Sequence, residues 1–236
     1  MSMKKKIVAA GLVACVAATA IGGATLAYFT DQHDVQNTFT VGNVGIAINE
    51  TTVADPDNKV VAGVEQRNQD GELIGITYDK VVPGMKYSKN VDVTVDEGSM
   101  NAYVFVELNI SDYAALQELI AEAAAQDGYV IDKDHLDTAF LYSDNGTPLD
   151  GGTLYAWKMQ ADGSYSLVYS YGVQEENAHI NVFDGVKVPS ELNKAMAKVP
   201  EGGFDLKITA YAIQETGLTL KEAANEFFAD YTLIGA

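Results

Sequence analysis

Histidines are the first side chains to examine, because zinc peptidases bind their metal through imidazoles. The chain has three, His33, His135 and His179. None stands in the His-Glu-x-x-His spacing that places two zinc ligands and a glutamate base on one helix. No Gly-x-Ser-x-Gly elbow for a serine nucleophile is present either. The pattern favours surface histidines, and we expect no catalytic residue, no zinc site and no enzymatic activity.

Acidic clusters offer the oxygen ligands that Ca²⁺ prefers. They occur at residues 55–58 (Asp-Pro-Asp-Asn), 132–137 (Asp-Lys-Asp-His-Leu-Asp) and 144–145 (Asp-Asn). None has the glycine and glutamate positions of an EF-hand loop, and Asp-Pro-Asp-Asn and Asp-Asn-Gly are also ordinary turn sequences. We expect solvated acidic turns and no required cofactor, with a calcium site as the open alternative.

The first 27 residues have the layout of a secretory signal peptide. Lys4–Lys6 form a basic start, and an uncharged, mostly apolar stretch follows over residues 7–27. Small residues crowd its end, where Thr-Leu-Ala approximates the small-x-small site of a signal peptidase. We therefore predict cleavage between Ala27 and Tyr28, a secreted and cell-surface-associated protein, and contact with the membrane only before cleavage.

Two other interpretations of this segment stay open. About 20 apolar residues can span a bilayer, so an uncleaved membrane anchor is one alternative. The other is lipid attachment at Cys15, which ends the sequence Leu-Val-Ala-Cys. The Ala and Gly content makes the stretch only mildly hydrophobic, and the apolar run before Cys15 is short. Both observations favour cleavage after Ala27.

Charge and cysteine content exclude several classes of function. The chain has 15 basic and 33 acidic residues, a net charge of −18, and loss of the three leader lysines gives (15 − 3) − 33 = −21. Nucleic acid and anionic membrane surfaces would repel such a domain. The only cysteine lies in the leader, so the mature chain has neither a thiol nucleophile nor a disulfide. The remaining 209 residues suffice for one domain with a sizeable core.

The body of the chain predicts mainly β-structure. Stretches rich in β-branched and aromatic residues alternate with turn sequences, including a hairpin turn at Asp162-Gly163. In Ala102–Ile110 one set of alternate side chains is purely aliphatic, which predicts a half-buried strand. The predicted strands are 60–64, 73–82, 91–95, 102–110, 154–159, 165–171 and 204–213.

Three helices are predicted between the strands. Ser111 is predicted to be the N-cap of an amphipathic helix over residues 112–126, and a short helix is expected over 190–198. The third begins with the capping-box sequence Thr219-x-x-Glu222. Strands in series with helices in their connections indicate a mainly β fold, a β-sandwich with peripheral helices.

Several motifs resemble the TasA and camelysin (CalY) family of exported proteins of Gram-positive bacteria. The resemblance is strongest at the amino terminus and recurs, in the family's order, across nearly the whole chain. The matching segments are Gly22–Asp31, Asn37–Val44, Val82–Met85, Gly98–Ser99, Ala102–Val106, Val182–Pro189 and Ile208–Gln214.

The resemblance implies a jelly-roll β-sandwich and a structural role in biofilm matrix. Proteins of this family assemble into extracellular fibres by donor-strand complementation, in which the segment exposed by cleavage enters a neighbour's sheet. Added strands gain main-chain hydrogen bonds at an open edge, and their side chains fill apolar slots. The side chains expected to do so here are Tyr28, Phe29, Val35, Phe39 and Val41.

This interpretation divides the chain into a signal peptide (1–27), a donor segment (28–37) and a single sandwich domain (38–236). The expected partners are further copies of the chain, an accessory or anchoring subunit, and signal peptidase during export. Segment 39–48 is expected to be the first strand of the chain's own domain. Two alternatives stay open: an adhesin-like monomer with a binding face around Tyr165, Tyr169 and Tyr171, and the metallopeptidase activity that the camelysin name implies.

Overall fold

The computed structural model describes residues 29–30, 44–78, 80–127, 139–144, 146–199 and 203–234. The described strands are β1 Phe29–Thr30, β2 Ile46–Thr51, β3 Val60–Ala62, β4 Val64–Arg67, β5 Leu73–Tyr78, β6 Lys86–Val95, β7 Ala102–Ile110, β8 Leu141–Tyr142, β9 Thr153–Met159, β10 Tyr165–Gln174, β11 His179–Lys187, β12 Leu206–Gln214 and β13 Thr232–Leu233. The described helices are α1 Tyr113–Asp127, a 3₁₀ helix Ser190–Lys198 and α2 Leu220–Phe228.

Two antiparallel sheets form a β-sandwich. The front sheet has the order β12-β7-β10-β9-β13, and the back sheet has the order β2-β6-β11-β8, with β3 parallel to the first part of β6. Aliphatic side chains of both sheets meet in one core, including Val93 of β6, Val106 of β7 and Val182 of β11, each fully buried. The predicted mainly β sandwich with peripheral helices is confirmed, and the jelly-roll connectivity stays a prediction.

The outer face of the front sheet is covered, which the alternation in β7 did not predict. Phe105 points away from the sandwich core yet is fully buried, because Phe228 of α2 packs against it with ring centroids 5.6 Å apart. Glu107 lies on the same face, and its two carboxylate oxygens accept hydrogen bonds from Tyr211 and Tyr231, both of 2.7 Å. The expectation of a half-buried strand was therefore wrong, since a helix distant in sequence supplies the second cover.

A second layer of helices closes one end of the sandwich. Helix α1 and the 3₁₀ helix contribute Leu119 and Leu192 to an apolar cluster that also contains Ile76 of β5 and Tyr87 of β6. Helix α1 begins at Tyr113, close to its predicted start. Ser111 does not cap it as predicted: its hydroxyl accepts a hydrogen bond from the Asp205 main-chain nitrogen (2.7 Å) and so joins α1 to the start of β12.

Helix α2 begins with the predicted capping box. The Glu222 main-chain nitrogen donates to Thr219 Oγ1 (3.3 Å), and the Thr219 nitrogen donates to Glu222 Oε2 (2.8 Å). These bonds satisfy two main-chain donors that the first turn of a helix otherwise leaves to solvent. They hold the Glu222 carboxylate in its charged form, with its pKa below the usual value. The box fixes where α2 starts and thus which of its side chains face Phe105.

Replacing Thr219 with alanine is expected to lower the free energy of unfolding by about 0.5–2 kcal/mol, because the N-cap acceptor is lost. Urea unfolding followed by circular dichroism measures the change. Ser190→Ala at the start of the 3₁₀ helix serves as the matched control, since its hydroxyl donates a hydrogen bond to the exposed side chain of the neighbouring Glu191. Equal losses in the two variants would show that the box does not stabilise α2.

Candidate functional site: the amino-terminal strand and its docking edge

The described part of the amino-terminal segment is a strand on a sheet edge. Strand β1 pairs antiparallel with β5, with Phe29 opposite Tyr78 and Thr30 opposite Thr77. On its other side β5 pairs antiparallel with β4, so a small sheet of order β1-β5-β4 stands beside the sandwich. The β1 pairing occupies only the end of β5. Within the described residues, Leu73–Ile76 pair with a strand on the β4 side alone.

Strand β5 is fixed to the body of the protein by its buried face. Ile76 is fully buried and Tyr78 is 4% exposed. The Tyr78 ring meets the Tyr87 ring edge-on at a centroid distance of 5.3 Å, and its hydroxyl donates to the Ser88 carbonyl oxygen (2.6 Å). Burial, reinforced by the charge of Glu50, raises the pKa of Tyr78 well above its usual value. The phenol thus remains a hydrogen-bond donor and anchors β5 to β6 of the sandwich.

Gly63 allows the small sheet to lie this close to the sandwich. A Cβ atom at this position would stand 2.2 Å from Ile76 Cγ2 and 2.8 Å from Tyr78 Cε1. Any side chain here would push β5 outward. The glycine between β3 and β4 therefore sets the position of the edge on which β1 lies.

A buried ion pair lies on the inner face of the back sheet. Glu50 of β2 and Lys89 of β6 are 6% and 1% exposed, and the Lys89 ammonium contacts the Glu50 carboxylate. Burial raises the pKa of Glu50 to about 8 and lowers the pKa of Lys89 well below its usual value. Sequence reasoning missed this pair, since the two residues are 39 positions apart and each is a common surface type. It lies close enough to influence Tyr78 electrostatically.

The predicted assembly residues are only partly within the described structure. The backbone of Phe29 forms β1. Ala27, Tyr28, Val35, Phe39 and Val41 lie outside the described residues, as does most of segment 39–48. The first sandwich strand, β2, begins at Ile46. The signal cleavage site and the boundaries of the donor segment therefore stay predictions.

The residues considered for metal binding do not assemble a centre in the described ranges. His179 opens β11, with its Nε2 atom 3.4 Å from Asp92 Oδ1, while His33 and His135 lie outside the description. Among the described residues, no group of three or more His, Cys, Asp or Glu side chains is arranged to hold a metal ion. Because two of the three histidines lie outside the described residues, the expectation of no zinc site and no enzymatic activity stays a prediction.

The first acidic cluster is organised as a turn. Asp55 Oδ1 accepts hydrogen bonds from the main-chain nitrogens of Asp57 and Asn58, and the Asn58 side-chain amide donates to Asp55 Oδ2 (2.7 Å). These bonds, chiefly the one from the Asn58 side chain, lower the pKa of Asp55. Cluster 132–137 and Asn145 lie outside the described residues, so the calcium alternative is not decided.

The tyrosines proposed as an exposed binding face are mostly core residues. Tyr169 and Tyr171 are 4% and 7% exposed and belong to the sandwich interior. Tyr165 is half-buried and stacks on Tyr113 of α1 at a centroid distance of 4.2 Å. The predicted aromatic binding face was therefore wrong, because two of these side chains belong to the sandwich core and the third packs on α1.

Similarity to known proteins is found in the amino-terminal region. In the described part of the chain no helix has the length and apolar character needed to cross a membrane. No significant match was found among curated proteins or among solved structures. Residues 2–66, about a quarter of the 236-residue chain, match the family model for camelysin metallo-endopeptidase. Over this region, which contains β1 and β2, the chain is similar to the camelysin family, which includes TasA, and the resemblance that its motifs indicated is confirmed there.

Proposed function

We propose that this protein is a secreted structural subunit of an extracellular, biofilm-associated fibre, joined to its neighbours through the amino-terminal strand. The exported form begins at Tyr28, after removal of residues 1–27. Segment 28–37 then docks on the β5 edge of a neighbouring subunit in the manner in which β1 pairs with β5 in the single chain. The camelysin match over residues 2–66 supports a shared amino-terminal design.

The observation that carries the proposal is the position of β1. It lies on the edge of the β4–β5 hairpin rather than within the sandwich. A strand on a sheet edge is held by main-chain hydrogen bonds that any chain of the same sequence can make. Such a strand can be exchanged between identical subunits without refolding the core.

The β5 edge has features suited to a longer incoming strand. Beyond the β1 pairing, Leu73–Ile76 present main-chain groups on the same side of β5. Ile74 is an exposed apolar residue there, with 44% of its surface accessible. An unpaired strand edge with an exposed apolar side chain tends to recruit another strand. A longer strand from a neighbouring subunit, paired along β5, would cover both these main-chain groups and the Ile74 side chain.

Deleting residues 28–37 from the mature protein is expected to abolish fibres while leaving a folded monomer, because this segment contributes only β1 to the described fold. Negative-stain electron microscopy and sedimentation velocity measure the outcome. The matched control removes residues 232–236, which carry the equally short strand β13 on the front sheet. Fibres that persist in the amino-terminal deletion, with normal yield and morphology, would overturn the proposal.

A second experiment tests the same proposal with the unaltered mature protein. A synthetic peptide of residues 28–41 is expected to slow fibre growth of the intact mature protein in a concentration-dependent way, because it competes for the same edge. A scrambled peptide of equal composition controls for non-specific effects. Unchanged growth at millimolar peptide would contradict docking of this segment on a neighbour.

A further inference from the structure

A polar cleft lies between the back sheet and the chain that follows β8. It encloses about 660 Å³, within the range of small-molecule sites. Its walls come from β6, β11, the carboxyl-terminal end of β10 and the chain that follows β8. The cleft belongs to a different surface from the β1–β5 edge and plays no part in the proposed assembly.

Three buried polar atoms in this cleft have no hydrogen-bond partner among the described residues: Asn90 Oδ1, Ser143 Oγ and the Tyr171 hydroxyl. Tyr171 is the most informative, since its side chain is only 7% exposed. Leaving a buried polar group unpaired costs about 1–3 kcal/mol, so such atoms are rare and seldom occur together. Their convergence on one cleft indicates a place where a ligand supplies the missing bonds.

The backbone next to the cleft makes room for this hydroxyl. A Cβ atom on Gly152 would stand 2.9 Å from Tyr171 Cζ, so only glycine lets the end of the phenol lie there. Burial, with a contribution from Asp150, raises the pKa of Tyr171 well above its usual value. The tyrosine therefore stays protonated and can both donate and accept a hydrogen bond at neutral pH.

The remaining polar groups form a fixed frame around these atoms. Asp184 Oδ1 accepts from the side-chain amides of Asn90 (2.9 Å) and Asn181 (3.1 Å), and Asp184 Oδ2 accepts from the Asp144 main-chain nitrogen (2.6 Å). Asn181 also donates to Asp92 Oδ1 (3.1 Å). The two carboxylates are thus oriented by amides of the protein. A preformed frame of this kind loses little entropy when a ligand binds.

The chemistry of the frame selects the class of ligand. The lining is rich in acceptors (Asn90 Oδ1 and the carboxylates of Asp92, Asp150 and Asp184), while the two hydroxyls need a partner that can also accept. Anionic ligands are disfavoured by these carboxylates and by the net charge of −18. The described acidic side chains form no metal-binding group. A neutral molecule with many hydroxyl groups matches these requirements.

We propose that this cleft is a binding site for a neutral saccharide, whose hydroxyl groups hydrogen-bond to Asn90, Ser143 and Tyr171. The ligand hydroxyls donate to Asn90 Oδ1 and to free lone pairs of Asp92 and Asp184. Their oxygens accept from Tyr171 and Ser143. The protein thereby has a carbohydrate-binding activity on a face separate from its assembly edge.

Isothermal titration calorimetry of the secreted protein with maltotetraose, cellotetraose and chitotetraose tests the proposal. At least one is expected to bind, and Tyr171→Phe is expected to weaken that binding about tenfold, the equivalent of one hydrogen bond of about 1.4 kcal/mol. Because the hydroxyl has no partner among the described residues, Tyr171→Phe should unfold at an equal or higher urea concentration than the wild type. A merely structural hydroxyl would give the reverse result, with lower stability and unchanged affinity.

The matched control is Tyr103→Phe. Its hydroxyl lies on the front sheet, where it donates to the Leu218 carbonyl oxygen (3.2 Å), so its loss should leave saccharide affinity unchanged. Ser143→Ala provides a second cleft variant with the expected weakening. Absence of binding by all three tetrasaccharides at millimolar concentration would overturn the proposal, as would equal affinity in the wild type and Tyr171→Phe. A heat of binding for Ca²⁺ alone, without any for saccharide, would assign the cleft to a cation instead.

Discussion

Replacing Lys89 with methionine is expected to destabilise the protein by about 3–5 kcal/mol at pH 8, because the Glu50 carboxylate is then buried without its counter-charge. Glu50 and Lys89 are 6% and 1% exposed. A loss of this size is a large fraction of the total stability of an ordinary domain. Urea unfolding of the two proteins, followed by intrinsic fluorescence, measures the difference.

The loss in Lys89→Met is expected to depend on pH in a defined direction. Burial raises the pKa of Glu50 above its ordinary value of 4.5, and this cause remains when Lys89 is removed, so the folded variant favours the protonated carboxyl. The stability contributed by that proton is fully present below pH 4.5 and is lost as the pH rises through the raised pKa of the folded variant. The wild type should vary less between about pH 5 and 8, since the pair together holds one proton whether it is ionic or neutral.

A double variant distinguishes the effect of the ion pair from the effect of the buried site that holds it. Lys89→Met combined with Glu50→Leu replaces the ion pair with apolar side chains of similar size, and it should recover most of the stability that the single variant loses. It should also remove the pH dependence. A single variant as stable as the wild type at pH 8 would show that Glu50 reaches solvent or another partner when Lys89 is gone.

Phe228→Ala is expected to cost about 3–5 kcal/mol, the usual range for deleting a buried phenylalanine side chain. Phe228 is 1% exposed. Its ring meets those of Phe105, Tyr211 and Tyr231 with centroids 5.6, 5.0 and 5.2 Å away. Its removal leaves a cavity between α2 and the front sheet. Urea unfolding measures the loss of free energy.

Phe227→Ala is the matched control for this prediction. Phe227 precedes Phe228 in α2 and contacts Phe105 and Tyr211 from a partly exposed position. Its truncation removes less buried area and should cost clearly less. Equal losses in the two variants would show that α2 does not use Phe228 as its anchor on the sheet.

Local patterns in the sequence predicted the elements well. Strand β7 runs over the predicted residues Ala102–Ile110, and the capping box at Thr219 gave the start of α2. These features depend on residues within a few positions of one another. By contrast, β6 begins at Lys86, five residues before the predicted start at Val91. Its first half is polar in sequence, and there it pairs with β3 on one side and β11 on the other, which residue spacing does not indicate.

The site could be predicted only in part for the same reason. The amino-terminal segment was singled out by its resemblance, and Phe29 does lie on a strand edge. The identity of that edge depends on Gly63, whose small size matters only once Ile76 and Tyr78 are packed against it. The polar cleft joins Asn90, Ser143 and Tyr171, which have no common motif. Such groupings arise from register between distant strands, which residue spacing does not encode.

The pairing of β7 with β12 has a consequence for how the chain acquires its structure. Ala102 lies opposite Gln214, so the front sheet closes a span of 214 − 102 = 112 residues. Non-local pairing of this kind raises the contact order and slows folding. Until β12 has been synthesised, one edge of the apolar strand β7 has no strand to pair with. A chain with this topology completes its front sheet only after most of its residues have been synthesised.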